Sequence, residues 1–123
     1  MAGKSTNKVV GNLGEDMAAR FLEKKGFVIK ERNYRRRFGE IDIIAQKRGV
    51  IHFVEVKSVS RENTGYRPEE LVYPEKLLKI RKTGEFYLVS CGTPDVEAQV
   101  DVVTVRLNTE KRLAHCEYIG NVL

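Results

Sequence analysis

Residues 39–57 read Gly39-Glu40-Ile41-Asp42-Ile43-Ile44-Ala45-Gln46-Lys47-Arg48-Gly49-Val50-Ile51-His52-Phe53-Val54-Glu55-Val56-Lys57. Two runs rich in β-branched residues flank a short polar stretch ending in Gly49, the pattern of a β-hairpin. Strands are expected over 40–45 and 50–57. If Arg48-Gly49 are the turn residues, Ile44 faces Phe53, Asp42 faces Glu55 and Glu40 faces Lys57. A slip of one residue would set Asp42 against Val56 and mix polar with apolar faces, which the two-residue period disfavours. A slip of two would keep the faces, so the shared face is more secure than the pairing. One face then carries Glu40, Asp42, Glu55 and Lys57, with Ile44 and Phe53 nearer the turn. The other carries Ile41, Ile43, Val54 and Val56 and is expected to be core, with His52 among it.

The polar face carries an electrostatic cost. Facing residues have Cβ atoms about 4.5–5.5 Å apart, where like charges destabilise. Two carboxylates so close share a proton or take up a cation. Mg²⁺ (or Mn²⁺) suits such a pair, because Mg²⁺ binds through one or two carboxylates and keeps waters for substrate phosphates. Lys57 projects to the same side, where an ammonium can hold a water or stabilise developing phosphate charge. The plain alternative is a solvated strand face with a Glu40–Lys57 ion pair. Ile44 and Phe53 point instead to a face that something covers. Covering three acids and one lysine is expensive without an added cation.

Upstream, apolar residues at Leu13, Met17, Ala18, Phe21 and Leu22 follow a helical period from Asn12, and Gly26 suits the stop. Glu15 lies at the edge of that stripe. A carboxylate near a helix N-terminus is favoured by the dipole alone; it gains a functional meaning only if the helix covers the acidic face. Asp16 lies further round and is expected in solvent. Phe27 to Asn33 reads as a strand. Lys30 to Arg37 holds Lys30, Arg32, Arg35, Arg36 and Arg37, a phosphate-binding or merely solubilising loop. Tyr34 and Tyr66 are candidates for stacking on unpaired bases.

Downstream, residues 63–68 with Gly65 read as a loop, and Pro74 suits the first turn of a second helix. Its stripe is Tyr73, Leu77, Ile80, Gly84, Tyr87 and Leu88. Lys76 flanks the stripe and can reach the cleft, whereas Lys79 and Lys82 are expected on the solvated side. Strands follow at 99–107 and 113–119 around a turn at 108–112, with Asp101 in a structural role. The fold class is α/β, a mixed sheet flanked by helices in the order α-β-β-β-α-β-β. Residues 1–11 are expected to be a flexible segment and 12–123 a single domain.

At 123 residues the chain is long enough for one core without disulfides or zinc, and its two cysteines and two histidines offer neither a disulfide framework nor a zinc site. A net charge of +5 is a mild pointer to an anionic partner, nucleic acid first. No signal-length or membrane-length apolar run is present. A soluble, cytoplasmic protein without a membrane partner is expected.

Asp42, twelve intervening residues and then Glu55-Val56-Lys57 resemble the D-x(n)-E-x-K signature of the restriction-endonuclease-like superfamily. A longer ordered set is Gly14-Glu15, Arg32-Asn33-Tyr34, residues 39–45, residues 53–57 and Asp101-Val102-Val103. From about Gly11 to the end, it resembles the YraN-like family of small bacterial proteins, whose core is similar to that of archaeal Holliday junction resolvases. The resemblance implies a restriction-endonuclease-like core. It makes Asp42 and Glu55 metal-binding acids, Lys57 the catalytic lysine and Glu15 the N-terminal helix acid; in the expected hydrolytic site Asp42, Glu55 and the Val56 carbonyl hold the metal, with Glu15 acting on it directly or through water. Glu40 belongs to the motif without an assured catalytic role. Where an arginine usually follows the lysine, the chain reads Ser58-Val59-Ser60-Arg61, which displaces or removes that interaction.

The expected function is metal-dependent phosphodiester hydrolysis of structured or branched DNA. Glu15, Asp42, Glu55 and Lys57 form the catalytic set, and Arg35, Arg36, Arg37 and Lys76 contact the nucleic acid. The alternatives are a non-catalytic nucleic-acid-binding module and an assembly factor in DNA processing, with the strand 113–119 as a candidate homodimer surface.

Overall fold

The structure is a computed structural model and describes residues 2–60, 73–108 and 110–123. The expected loop at 63–68, with Gly65 and Tyr66, lies outside the described residues, as does Arg61. Helix α1 (Ala2–Lys24) is followed by strands β1 (Val28–Arg36), β2 (Gly39–Lys47) and β3 (Val50–Ser60). Helix α2 (Pro74–Ser90) then leads to strands β4 (Ala98–Asn108) and β5 (Leu113–Ile119). The order is α-β-β-β-α-β-β, around a mixed sheet of five strands arranged β1-β2-β3-β4-β5, consistent with a nuclease-like core. Only β3 and β4 pair in parallel; the other neighbours are antiparallel.

Helix α1 begins at Ala2, ten residues before its apolar stripe. Each added helical residue gains one backbone bond, so a helix can extend beyond the stripe that anchors it. It stops where Gly26 adopts φ 94°, a left-handed conformation that glycine takes without a Cβ penalty. The β2–β3 turn also follows from local chemistry. Arg48 and Gly49 both have positive φ, 51° and 81°, which matches the right-handed twist of a two-residue hairpin. Ile44 faces Phe53 and Ile43 faces Val54, as an Arg48-Gly49 turn predicts.

The core has two parts, one on each sheet face. Ala18, Ala19 and Leu22 of α1 pack with Ile43, Ala45, Val54, Val103 and Val105. Leu77, Ile80 and Leu88 of α2 pack with Ile44, Phe53, Val100 and Val102. Helix α2 is therefore the cover that the apolar turn end of the acidic face requires. Tyr73, expected in its stripe, is instead exposed at the N-cap. Strict alternation places Ile41 beside Ile43, but Ile41 belongs to the α2 cluster. The β2–β3 ladder ends at Ile43–Val54, whereas β2 stays paired with β1 as far as Gly39–Arg36. The strand twists away at that point, and alternation no longer sets its faces.

His52 and Asp101 are both buried, as expected of structural residues. Asp101 accepts hydrogen bonds from Gln99, Tyr118 and the Asn121 amide, and lies 2.6 Å from His52 Nδ1. Burial alone would raise its pKa, but these partners outweigh it and hold the carboxyl below its usual value.

Gly84 marks the closest approach of α2 to the sheet. A Cβ there would collide with the Phe53 ring, itself fully buried. Gly84→Ala is therefore expected to destabilise the protein by about 1–3 kcal/mol, despite alanine's better helix propensity. Chemical denaturation checks this; a neutral or stabilising result would contradict the packing.

Candidate active site

The divergence of β2 from β3 opens a notch at one end of the sheet, and Asp42 fills its throat. Its Oδ2 accepts the Val56 amide hydrogen at 2.8 Å, in place of a ladder bond. Glu55, one residue earlier on β3, is only 2% exposed, and its carboxyl interacts directly with that of Asp42. From the other layer, α1 brings Glu15 close enough for its charge to act on Asp42. Helix α1 nevertheless packs on the opposite sheet face from the one carrying Ile44 and Phe53, so it does not cover the acidic face as the functional reading of Glu15 required, and Glu15 acts on Asp42 through its charge from the other layer.

Burial is the largest influence on Asp42. It acts together with the hydrogen bond and charge of Glu55, and with the charge of Glu15, against the Val56 amide. The carboxyl is pushed up to about 8 from a usual 3.8. At neutral pH without a cation, the site holds a proton. Two carboxylate oxygens, Glu15 Oε1 and Glu55 Oε2, are buried without a partner in hydrogen-bonding geometry.

Basic residues crowd the rim. Lys76 of α2 places Nζ 2.5 Å from Glu55 Oε2, an ion pair across the cleft. Partial burial would lower its pKa, but Glu55, helped by Asp42 and Glu40, holds it above the usual range. Arg32 reaches Asp16 at 2.9 Å and Glu15 at 3.6 Å, so Asp16 is engaged at the surface and not simply solvated. Glu40 pairs with Arg35 at 3.1 Å, across the β1–β2 ladder, and not with Lys57. Lys57 is half-buried on β3, beside Thr104 of β4.

The basic stretch 30–37 is mainly strand β1, not a loop. It is an edge strand with most side chains in solvent, so its charges leave no apolar alternation to read. Arg36 lies over the Tyr34 ring, 4.2 Å from its centroid, and Tyr34 is buried beneath it. Tyr34 is thus unavailable for base stacking. Lys79, expected in the solvated face of α2, lines the cleft with Gly39, Glu40, Tyr73 and Lys76. Phe38 and Phe86, neither marked by the sequence, are exposed beside this cleft.

The donor set suits a hard cation. It consists of carboxylates that already draw the Lys76 and Arg32 cations, and a protonated pair that a cation would relieve. Among the described residues, no three His, Cys, Asp or Glu side chains form a ready cage. Mg²⁺ does not need one, since one or two carboxylates with retained waters suffice.

The fold and notch define a class: an α/β protein whose central hairpin presents a carboxylate pair at a basic-rimmed cleft. Similarity to other proteins narrows this. The model of the Uncharacterised protein family UPF0102 matches residues 14–105, and the chain belongs to that family. The chain is 40% identical over 116 residues to a UPF0102 protein of Dictyoglomus turgidum, covering 94% of the chain and 97% of the relative. It is 47% identical over 104 residues to one of Syntrophus aciditrophicus, covering 85% and 81%. A Campylobacter jejuni member is 44% identical over 110 residues, covering 89% and 92%.

Proposed function

We propose that the protein is a metal-dependent nuclease acting on structured or branched DNA. The observation that carries this reading is the buried Asp42–Glu55 contact, with a proton retained at neutral pH. Asp42 and Glu55 would hold Mg²⁺, assisted by the Val56 carbonyl and by Glu15. A bound ion supplies Lewis acidity and an activated water for in-line attack on phosphorus. The chain's own groups do the rest. The Val56 amide fixes the orientation of Asp42. Lys57 stabilises charge on the phosphoryl oxygens. Lys76 moves from Glu55 to the phosphate that enters. No helix among the described residues is long and apolar enough to cross a membrane.

One observation favours a second reading. The Lys76 ammonium already sits on Glu55, as a built-in cation would. With that pair permanent, the fold would be a non-catalytic nucleic-acid-binding module. Cleavage of fork, flap and four-way junction DNA with and without Mg²⁺ separates the two. Mg²⁺-dependent products support the nuclease, and their absence on every substrate supports the binder.

The arginines give a further test. Replacing Arg35, Arg36 and Arg37 with Ala is expected to weaken DNA binding regardless of sequence. On duplex DNA the log-log salt slope should flatten by up to about 0.9 for each phosphate no longer gripped. An unchanged slope would return these residues to the solubilising reading.

A further inference from the structure

Phe38 stands at the β1–β2 turn and Phe86 on α2; their ring centroids are 5.3 Å apart with planes at 73°, edge to face. Both remain exposed, at 44% and 43%. Water thus reaches an aromatic pair that a folded core would normally absorb. The Arg36 guanidinium lies 5.6 Å from the Phe86 ring centroid, adding a planar cation to the same patch.

Its position relates it to the acids. Gly39, next to Phe38, packs so closely on Thr83 of α2 that a Cβ would collide with the hydroxyl. Along α2, Lys76, Lys79, Thr83 and Phe86 follow at helical spacing and form one line. Ten residues of helix rise roughly 15 Å. One end of the line touches Glu55, the middle borders a cleft of about 460 Å³ with Lys76 and Lys79, and the far end is the aromatic pair. Cations along a helix whose far end carries exposed aromatic rings are the elements of single-strand recognition. Paired bases in a duplex do not offer their faces to such a patch.

We propose that Phe38 and Phe86 form a base-stacking platform for a single-stranded segment of nucleic acid, laid along α2 with its backbone on Lys76 and Lys79. The proposal rests on the nucleic-acid reading of the carboxylate cleft and specifies its substrate: a strand unpaired within a few nucleotides of the acids.

The test is fluorescence anisotropy in EDTA, so that neither metal nor hydrolysis enters. The probes are a fluorescein-labelled oligothymidylate and a duplex of the same length. The double variant Phe38→Ala, Phe86→Ala is expected to bind the single strand about tenfold or more weakly, the scale of lost base stacking, with duplex binding unchanged. Phe38→Trp with Phe86→Trp should retain single-strand binding, and circular dichroism should show both variants folded. Undiminished single-strand binding by the alanine variant, or equal losses on both probes, would overturn the platform while leaving the nuclease reading intact. Wild type that binds neither probe would likewise overturn the platform. Loss of Mg²⁺-dependent cleavage alone would overturn the nuclease and not the platform.

Discussion

Asp42→Asn is expected to abolish divalent-cation binding and, in the same protein, to raise the stability of the metal-free fold. The first effect follows because an amide cannot replace the charge that a hard cation needs from this carboxylate. The second follows from the raised pKa. Below about pH 4, folded and unfolded chains both hold the proton and Asp42 costs nothing. As the pH rises towards 8, the unfolded carboxyl ionises while the folded one keeps its proton, so wild type loses stability across that window and not below it. Each pH unit is worth about 1.4 kcal/mol at most, which makes the full effect on the order of a few kcal/mol at pH 8. Asparagine keeps an oxygen for the Val56 amide and offers Glu55 a donor, so it stands in for the protonated acid without having to hold a proton. Thermal melts in EDTA from pH 4 to 8 should show the variant's advantage growing with pH, and calorimetry with Mg²⁺ or Mn²⁺ should show its binding gone. Equal metal binding by both proteins would sink the site. A variant less stable than wild type at pH 8 would sink the electrostatic account.

Lys57→Ala is the second large effect. It is expected to cut Mg²⁺-dependent hydrolysis by about 10²-fold or more, the scale of removing one preorganised charge at a transition state, while metal and DNA binding stay close to wild type. The structure removes the simplest competing explanation. Glu40, the partner that the hairpin register offered Lys57, is paired with Arg35. The variant should therefore melt close to wild type. A large drop in melting temperature with turnover per folded molecule unchanged would make Lys57 structural.

The hairpin is legible because three local signals agree on it: a two-residue alternation, a turn ending in glycine, and acids that share one face. The Ile44–Phe53 pairing is the one given by Arg48-Gly49 as turn residues, since alternation and shared faces would also permit a slip of two. What lies beyond them needs contacts that periodicity does not encode. Ile41 changes layers because a carboxylate replaces a ladder bond at Asp42. Lys76 on Glu55 is a contact between elements distant in sequence. The extension of β1 is hidden because an edge strand of arginines has no apolar face to alternate. Phe38 and Phe86 stand out only once a turn and a helix place them together in solvent.

The sheet runs in chain order, and this bears on how the molecule comes to exist at all. Pairings β1–β2, β2–β3 and β4–β5 join neighbours in the chain, whose loops close at low entropic cost. The parallel pairing differs. Ile51 meets Ala98 and Ser60 meets Leu107, so every rung encloses about 47 residues. Non-local closure of this kind slows folding more than it alters stability. The three-strand meander and the β4–β5 hairpin are therefore the quick units, and their union along β3 and β4 is the slow one. Asp42 and the β3 acid belong to the same quick unit, whereas the lysine that reaches them arrives with the crossover helix. Until that union, both inner strands present bare edges, so the nascent chain is most open to mispairing during this interval.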